Sequence, residues 1–401
     1  MARRVVLAYS GGLDTSVAVR WITQEWDAEV IALAVDVGQT ADDDWDTIRA
    51  RARAAGAVEA VVVDARAEFA RDYCLPALKA NALYEGKYPL VSALSRPVIV
   101  KHLVAAAREY GADAVAHGCT GKGNDQVRFE VSTRALAPDL DVMAPTRDWS
   151  FNRETAMDYA AEHGIPIEQT KKSPYSIDEN LWGRAIECGM IEDPWVAPPA
   201  EPYALTTDPL QAPRDPWELV IGFERGVPVT LDGEERALPE LVARLGELVG
   251  RYGWGRLDMV ENRRVGIKSR EVYECPGSLA LILAHADLES ITQERDLMRE
   301  KARLEPRYAE LVYDGLWFSP LRAALDAFVE SSQQSVTGEV RLRLEPGRCY
   351  VVGRRAPRGL YDYELATYDE RDAFRHEDAA GFVRLWGLGL ETVARKQGPP
   401  S

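Results

Sequence analysis

A short glycine-rich stretch near the amino terminus constrains the fold more than any other part of the chain. The apolar run Val5–Tyr9 predicts a buried strand. It leads directly into Ser10–Ser16, whose hydroxyls and acid are typical of a first helical turn. Such a strand-to-helix loop presents unpaired backbone N–H groups at the positive end of a helix dipole, which favours phosphate. Gly11 and Gly12 have no side chain to keep the backbone away from that phosphate.

The loop differs from two common nucleotide-binding motifs. It lacks the Gly-Lys-Ser/Thr ending of a Walker A loop, and it lacks the G-x-G-x-x-G spacing of dinucleotide-binding folds. It resembles the pyrophosphate loop of ATP pyrophosphatases, enzymes that split ATP into AMP and pyrophosphate. An ordinary Gly-Gly turn between a strand and a helix is the alternative for so short a motif.

Composition limits the class of protein. The 401 residues are enough for two domains, and 46% of them are apolar. A net charge of −16 argues against a nucleic-acid or membrane-surface partner. The five cysteines are far apart and form no C-x-x-C pair, which is typical of reduced thiols in the cytoplasm. We expect no signal peptide and no membrane-spanning segment.

The first 168 residues alternate short apolar runs with helical patterns. This alternation predicts a doubly wound parallel sheet covered on both faces. The strands are expected at Val5–Tyr9, Val30–Val35, Ala60–Val63 and Ala114–Ala116, with one helix after the first strand and another at Arg96–Tyr110. Three polar, glycine-bearing clusters follow strands, at Ser10–Ser16, Asp36–Thr40 and His117–Arg128. Because ligands bind outside the carboxyl ends of such strands, these clusters predict one shared site.

Residues 169–373 predict a second domain of the α+β class, and residues 374–401 a helical tail. Pro194–Pro216 is proline-rich and predicts a long surface connection. Two hairpins and two helices follow from the periodicity. The hairpin arms are Leu219–Phe223 with Val227–Leu231 and Val340–Leu344 with Cys349–Val352, and the helices are Leu238–Val249 and Leu279–Lys301.

The third cluster, His117–Glu130, is dense in polar groups. Thr120 brings a hydroxyl, while Asn124, Asp125 and Arg128 bring an amide, an acid and a guanidinium within a few residues. Such a set can hold a zwitterion, because the acid takes an ammonium group and the arginine takes a carboxylate. A polar loop with a solvated ion pair is the alternative.

At this point the chain resembles the argininosuccinate synthase family nearly from end to end. The resemblance rests on the strings Ala8–Ser16, Tyr88–Pro97, His117–Glu130, Ser176–Asn180, Val260–Arg263, Lys268–Arg270 and Ala309–Tyr313. It implies an N-terminal domain like that of the adenine nucleotide α-hydrolases and a cytoplasmic homotetramer. It also implies a C–N ligase that joins L-citrulline to L-aspartate in arginine biosynthesis, converting ATP to AMP and pyrophosphate.

The resemblance also implies roles for individual residues. ATP would contact Ala8, Tyr9, Ser10, Gly11, Gly12, Leu13, Asp14, Thr15, Ser16, Val35 and Gly118. Aspartate would be held by Thr120, Asn124 and Asp125, and citrulline by Tyr88, Asn124, Arg128, Ser176, Glu261 and Tyr273, with Ala93 and Ala185 beside it. Asp14, Ser16, Asp125 and Arg128 are the expected catalytic residues.

Three positions depart from the common family pattern. Ala93 and Ala185 stand where many members have hydroxyls that contact citrulline, and Val35 replaces an alanine that lies against adenine. Without the resemblance, Glu261 could equally form a surface pair with Arg263 or Arg264, and Tyr273 could be a core residue.

The residues permit a two-step reaction. The ureido oxygen of citrulline would attack the α-phosphate of ATP, giving a citrullyl-adenylate and pyrophosphate, and the amine of aspartate would then expel AMP. The phosphate loop would stabilise the departing phosphates together with Mg²⁺. Asp14 could be a ligand of that metal or a helix cap, and we assign no metal ligand from the sequence.

Three other functions share the loop. An enzyme that adenylates a transfer-RNA base is disfavoured by the acidic charge, and a glutamine-dependent amidotransferase would need a further ammonia-generating domain. A non-catalytic ATP-binding regulator would need the loop but not Asn124, Asp125 and Arg128.

Overall fold

The apolar run at the amino terminus forms the central strand of a five-stranded parallel sheet. The computed structural model describes residues 3–39, 44–149, 153–165 and 174–398. The strand order is β3-β2-β1-β4-β5, with every neighbouring pair parallel. The strands are β1 Arg3–Ala8, β2 Ala28–Asp36, β3 Glu59–Asp64, β4 Ala114–Ala116 and β5 Asp141–Met143. The predicted doubly wound sheet is confirmed, and β5 is a strand that the sequence analysis missed.

Helices cover both faces of this sheet. They are α1 Leu13–Glu25, α2 Trp45–Ala54, α3 Arg66–Phe69, α4 Leu75–Lys79, α5 Val91–Tyr110, α6 Asp125–Leu136, α7 Pro145–Asp148 and α8 Arg153–Glu162, with a π-helical turn at Ala70–Cys74. Alternate residues of β1 point to opposite faces. Val5 and Leu7 belong to a core with Val17 of α1, whereas Val6 belongs to a core with Val98 of α5.

Helix α5 begins at Val91, five residues before the predicted start at Arg96. Pro97 lies inside this helix. Proline in a helix interior loses one backbone hydrogen bond. The first turn nevertheless stays helical because Val91, Ala93 and Leu94 are buried, and their burial favours the packed conformation.

The second part of the chain contains two antiparallel sheets. One has the order β11-β12-β7-β6 and the other β10-β9-β8-β13-β14. Their strands are β6 Ser176–Asn180, β7 Gly183–Glu187, β8 Trp217–Glu224, β9 Val227–Leu231, β10 Glu234–Glu235, β11 Arg256–Asn262, β12 Lys268–Glu274, β13 Gly338–Glu345 and β14 Arg348–Arg355. Both predicted hairpins are confirmed, as β8-β9 and β13-β14.

Four longer helices accompany these sheets. They are α9 Leu238–Arg251, α10 Pro276–Thr292, α11 Arg295–Tyr313 and α12 Pro320–Ser332, with short 3₁₀ turns at Gly189–Glu192 and Gln333–Ser335. The single helix predicted over Leu279–Lys301 is wrong. The backbone is extended at Gln293 and Glu294, and the Glu294 carboxylate caps α11 by accepting two backbone N–H bonds. This N-cap separates α10 from α11.

The proline-rich connection Pro194–Pro216 is irregular, as predicted, but part of it is not at the surface. The backbone N–H groups of Ala204, Leu205 and Thr206 donate to the carboxylate of Glu274 at 2.9–3.0 Å. Glu274 is fully buried, so its charge needs these bonds. The connection therefore wraps a buried acid of β12.

By internal packing the chain divides into two compact units, Met1–Pro357 and Arg358–Ser401. The second unit contains α13 Tyr363–Ala366 and α14 His376–Gln397, and none of its described residues is buried. The predicted helical tail is thus confirmed as a helix. The predicted boundary at 168/169, Thr40 and the last residues 399–401 lie outside the described residues. No helix of the described ranges is long and apolar enough to cross a membrane.

Candidate active site

The phosphate-type loop joins β1 to α1. Gly11 has a φ of +80°, which side chains other than glycine adopt at a cost, and Gly12 is the N-cap residue of α1. The Ser10 and Thr15 hydroxyls are 3.1 Å apart, and the Arg51 guanidinium donates to the Gly11 carbonyl oxygen at 2.8 Å. Because Gly12 is the N-cap residue, Asp14 lies in the first turn of α1 and does not cap the helix as its N-cap residue.

A cavity of about 450 Å³ opens at the carboxyl ends of β1, β2 and β4 and continues to β6, β7 and β12. Its wall along β2 is apolar and includes Leu33, Val35 and Val37. Gln39 also lines the cavity here, and its side-chain amide donates to the Val35 carbonyl oxygen at 3.1 Å. The cavity thus combines an apolar wall with the glycine-rich loop, which suits a nucleotide.

A charged cluster lies beside the loop, where α5, α6 and β6 meet. The Asp125 carboxylate accepts hydrogen bonds from Arg96 at 2.8 Å and from Arg128 at 2.8 Å, and Arg96 also donates to Asp178 at 2.6 Å. Burial would raise the pKa of Asp125, but the charges of Arg96 and Arg128 outweigh it and lower the pKa to about 2. Asp125 is therefore ionised at any physiological pH.

A second cluster is built on β11 and β12. Glu261 is buried, and its two carboxyl oxygens lie 2.8 Å from the Tyr313 hydroxyl and 2.9 Å from the Tyr273 hydroxyl. Tyr313 in turn accepts from the Asn124 amide at 2.8 Å. Burial and the charge of Glu271 raise the pKa of Glu261 to about 8, against the effect of the two tyrosine hydroxyls.

Both parts of the chain match models of one protein family. Residues 4–166 match the model "Arginosuccinate synthase N-terminal HUP domain", and residues 175–393 match "Arginosuccinate synthase C-terminal domain". The chain belongs to the argininosuccinate synthase family. Its members are ATP-binding ligases of arginine biosynthesis, and the resemblance stated from the motifs is confirmed.

Most of the residues that the family resemblance singled out line this one cavity. They are Ala8, Tyr9, Ser10, Asp14, Thr15, Val35, Tyr88, Gly118, Thr120, Asn124, Asp125, Arg128, Ser176, Ala185, Glu261 and Tyr273. Gly11, Gly12, Leu13, Ser16 and Ala93 are absent from the lining. The Ser16 hydroxyl lies 2.9 Å from the hydroxyl of Tyr9, which does line the cavity. Ala93 is a core residue of α5.

The structure decides between the alternatives that the sequence left open for two residues. The surface pair of Glu261 with Arg263 or Arg264 is wrong, because Glu261 is 2% exposed and its partners are tyrosines. Tyr273 is buried like a core residue, but its hydroxyl reaches carboxylates that line the cavity.

Six charged residues of the cavity had no site role predicted from the sequence: Arg96, Asp178, Glu179, Glu187, Arg263 and Glu271. Arg263 donates to both Glu187 and Glu271. The available signal was the period of two in β12, which places Ser269, Glu271 and Tyr273 on one face. No group of three or more His, Cys, Asp or Glu side chains in the described ranges is arranged to hold a metal ion.

Proposed function

We propose that this cavity condenses L-citrulline with L-aspartate through a citrullyl-adenylate, releasing pyrophosphate and AMP. The observation that supports it best is that the phosphate-type loop and both charged clusters line the same cavity. An ATP-binding regulator has no need of two amino-acid-binding clusters beside the nucleotide.

ATP would lie with its base against the apolar wall at Val35 and its β- and γ-phosphates on the loop Ser10–Ser16. The N-terminus of α1 and the loop N–H groups stabilise the charge that develops as pyrophosphate leaves. Mg²⁺ usually binds one or two carboxylates together with substrate phosphates, and Asp14 lines the cavity in the first turn of α1. Asp14 and the phosphates would hold the ion, which neutralises charge on the phosphates.

The two amino acids would occupy the charged clusters. Asp125 would receive the ammonium group of aspartate, with Thr120 and Asn124 beside it, and Arg128 would receive the carboxylate of citrulline. Tyr88, Ser176, Glu261 and Tyr273, which also line the cavity, would complete the citrulline site, and Ala185 would contribute no hydroxyl there.

The reaction then follows from positioning. The ureido oxygen attacks the α-phosphate and the bond to the β-phosphate breaks, so that pyrophosphate departs. The aspartate ammonium group next loses a proton to solvent, the resulting amine attacks the ureido carbon, and AMP leaves with the former ureido oxygen. Holding three substrates in one cavity supplies most of the rate increase, because it removes the entropic cost of bringing them together.

We further propose the domain division 1–168, 169–373 and 374–401 and a cytoplasmic homotetramer. The matched family ranges 4–166 and 175–393 support the first boundary. All five cysteines are free thiols, which agrees with a reducing compartment. The exposed apolar residues of α14 support self-association.

Isotope transfer tests the proposed reaction. Purified full-length protein is incubated with ATP, Mg²⁺, aspartate and citrulline carrying ¹⁸O in its ureido group, and a parallel sample omits citrulline. We expect pyrophosphate release only with citrulline, and ¹⁸O in the AMP. Pyrophosphate release without citrulline would indicate another substrate, and label that stays out of AMP would exclude the adenylate.

A further inference from the structure

The Tyr273 hydroxyl lies between two carboxyl groups. Its oxygen is 2.9 Å from Oε2 of Glu261 and 2.7 Å from Oε2 of Glu271, and all three side chains line the cavity. Nothing in the family resemblance assigns a role to Glu271. Both carboxyl groups are largely buried, with Glu271 9% and Glu261 2% exposed.

The hydrogen-bond count at this hydroxyl requires an additional proton. A phenol has one proton, which it can donate to one acceptor at a time. If Tyr273 donates to the closer oxygen, that of Glu271, the contact with Glu261 is attractive only when Glu261 is a carboxylic acid donating to the tyrosine oxygen. The other oxygen of Glu261 already accepts from Tyr313. Two ionised carboxylates could not both be satisfied.

The charges around the pair favour the same arrangement. The described residues at this end of the cavity include the carboxyls of Glu187, Glu261 and Glu271, and Arg263 is the guanidinium bonded to two of them. From the other elements Tyr84, Tyr88 and Tyr313 face Glu261, and burial raises the pKa of each. Arg128 lies beyond Tyr313, 4.9 Å from its ring centre, and Asp125 is bonded to Arg128. Burial and the charge of Glu271 raise the pKa of Glu261 to about 8.

We propose that Glu261 holds an extra proton in the substrate-free enzyme, in a hydrogen-bonded chain through Tyr273 to Glu271, and that the ammonium group of citrulline displaces this proton. This inference rests on the proposed function for the identity of the ligand. An ammonium group supplies the positive charge that the proton otherwise supplies, so Glu261 ionises and the proton passes to solvent. Glu271 thereby becomes a specificity residue, because its charge makes the site demand a cation.

Calorimetry measures the displaced proton directly. The full-length enzyme, saturated with a non-hydrolysable ATP analogue, is titrated with L-citrulline at one pH in buffers that differ in ionisation enthalpy. We expect release of about one proton per citrulline at pH 7 and only a small fraction of a proton at about pH 9, because Glu261 is then already ionised. Citrulline affinity should accordingly rise with pH over this range.

Two isosteric variants test whether proton release depends on Glu271 in particular or on any carboxyl group near Arg263. Glu271→Gln removes the charge that, together with burial, raises the pKa of Glu261, so proton release at pH 7 should fall clearly below that of the wild type. Glu187→Gln removes a carboxyl that contacts Arg263 and makes no hydrogen bond to Tyr273, so proton release should largely persist. Equal release by the wild type and Glu271→Gln, or a binding enthalpy independent of buffer, would overturn the inference.

Infrared spectroscopy of the free enzyme keeps the two proposals separable. The carbonyl stretch of a protonated carboxyl should be present at pH 7, disappear at about pH 10, and be weaker in Glu271→Gln at pH 7. Absence of this band in the wild type overturns the extra proton on Glu261 and leaves the proposed function intact. A band in a protein that neither binds citrulline nor releases pyrophosphate overturns the proposed function and the ligand assigned to the pair.

Discussion

At the scale of single residues, the most informative side chain is Asp125. The glycine-rich run around it indicated a recognition site, and its carboxylate does line the cavity. It is bonded to two guanidiniums, those of Arg96 and Arg128. If Asp125 receives the ammonium group of aspartate, as we propose, that group would join an existing ion pair.

The separate roles proposed for Asp125 and Arg128 give a prediction about substrate affinity. Loss of one charge-assisted contact costs about 2 kcal/mol, or roughly thirtyfold in affinity. Asp125→Asn should raise the KM for aspartate by about that factor and the KM for citrulline by much less, whereas Arg128→Met should do the reverse. Initial rates with one substrate varied at a time measure both. Equal changes in the two KM values for each variant would mean that the ion pair only maintains the loop.

Sequence reasoning could find Asp125 but not Glu271, and the difference is physical. Asn124, Asp125 and Arg128 are neighbours along the chain, so their association needs no knowledge of the fold. Glu271 and Glu187 meet only because β12 pairs with β7, and that pairing depends on the tertiary structure. The charges in short, partly polar strands therefore remained unassigned.

At the scale of elements, the β1–α1 loop contains two glycines with different constraints. Gly11 has a φ of +80°, while Gly12 has a φ of −79°, which any residue can adopt. A Cβ at Gly12 would approach the Ser10 hydroxyl at 3.5 Å, an ordinary contact. The fold thus has room for a side chain at Gly12, and we expect such a side chain to interfere with phosphate on the loop.

Gly12→Val should therefore abolish ATP turnover with little change in Tm, because its side chain occupies the phosphate position. Gly11→Ala is the matched control. It places a Cβ on a left-handed residue, so it should lower the free energy of unfolding by about 1–2 kcal/mol. Thermal melts and pyrophosphate assays of both variants test this. Normal pyrophosphate release by Gly12→Val would remove the loop from the active site.

The secondary-structure predictions failed where a local signal was ambiguous. Helix α5 was predicted to begin at Arg96, yet burial of the preceding turn keeps that turn helical. The break between α10 and α11 had a weak signal, the N-cap Glu294, inside an otherwise continuous helical pattern. Strands β6 and β7 escaped notice because they are short and carry polar side chains.

At the scale of the whole molecule, the two domain classes were predictable because each has its own order of strand and helix patterns along the sequence. Strand and helix patterns alternate in the first part, and hairpin patterns dominate the second. The tail has a third character: a 22-residue helix without buried residues. Its exposed apolar side chains are Phe382, Val383, Leu385, Trp386, Leu388, Leu390 and Val393. Soluble monomers seldom leave so much contiguous apolar surface in water.

Deletion of residues 374–401 should consequently reduce the mass measured by light scattering or cause aggregation. Leu390→Glu, which places a charge on the exposed apolar surface, should have the same effect more mildly, and Gln397→Glu at the end of α14 serves as the control. Full-length protein that runs as a monomer at micromolar concentration, or a deletion variant with unchanged assembly, would contradict self-association through the tail.

Helix α5 has a consequence for how the protein is made. Eleven of its residues are buried, and it belongs to one core that reaches from Val6 of β1 to Leu342 of β13. A ribosome completes α5 long before it has synthesised the later strands and helices of that core. The part of α5 that those later elements cover must therefore stay in contact with water until they have been synthesised. Chaperone binding to this interval, and slow folding of amino-terminal fragments, are natural results of a core shared between distant parts of the chain.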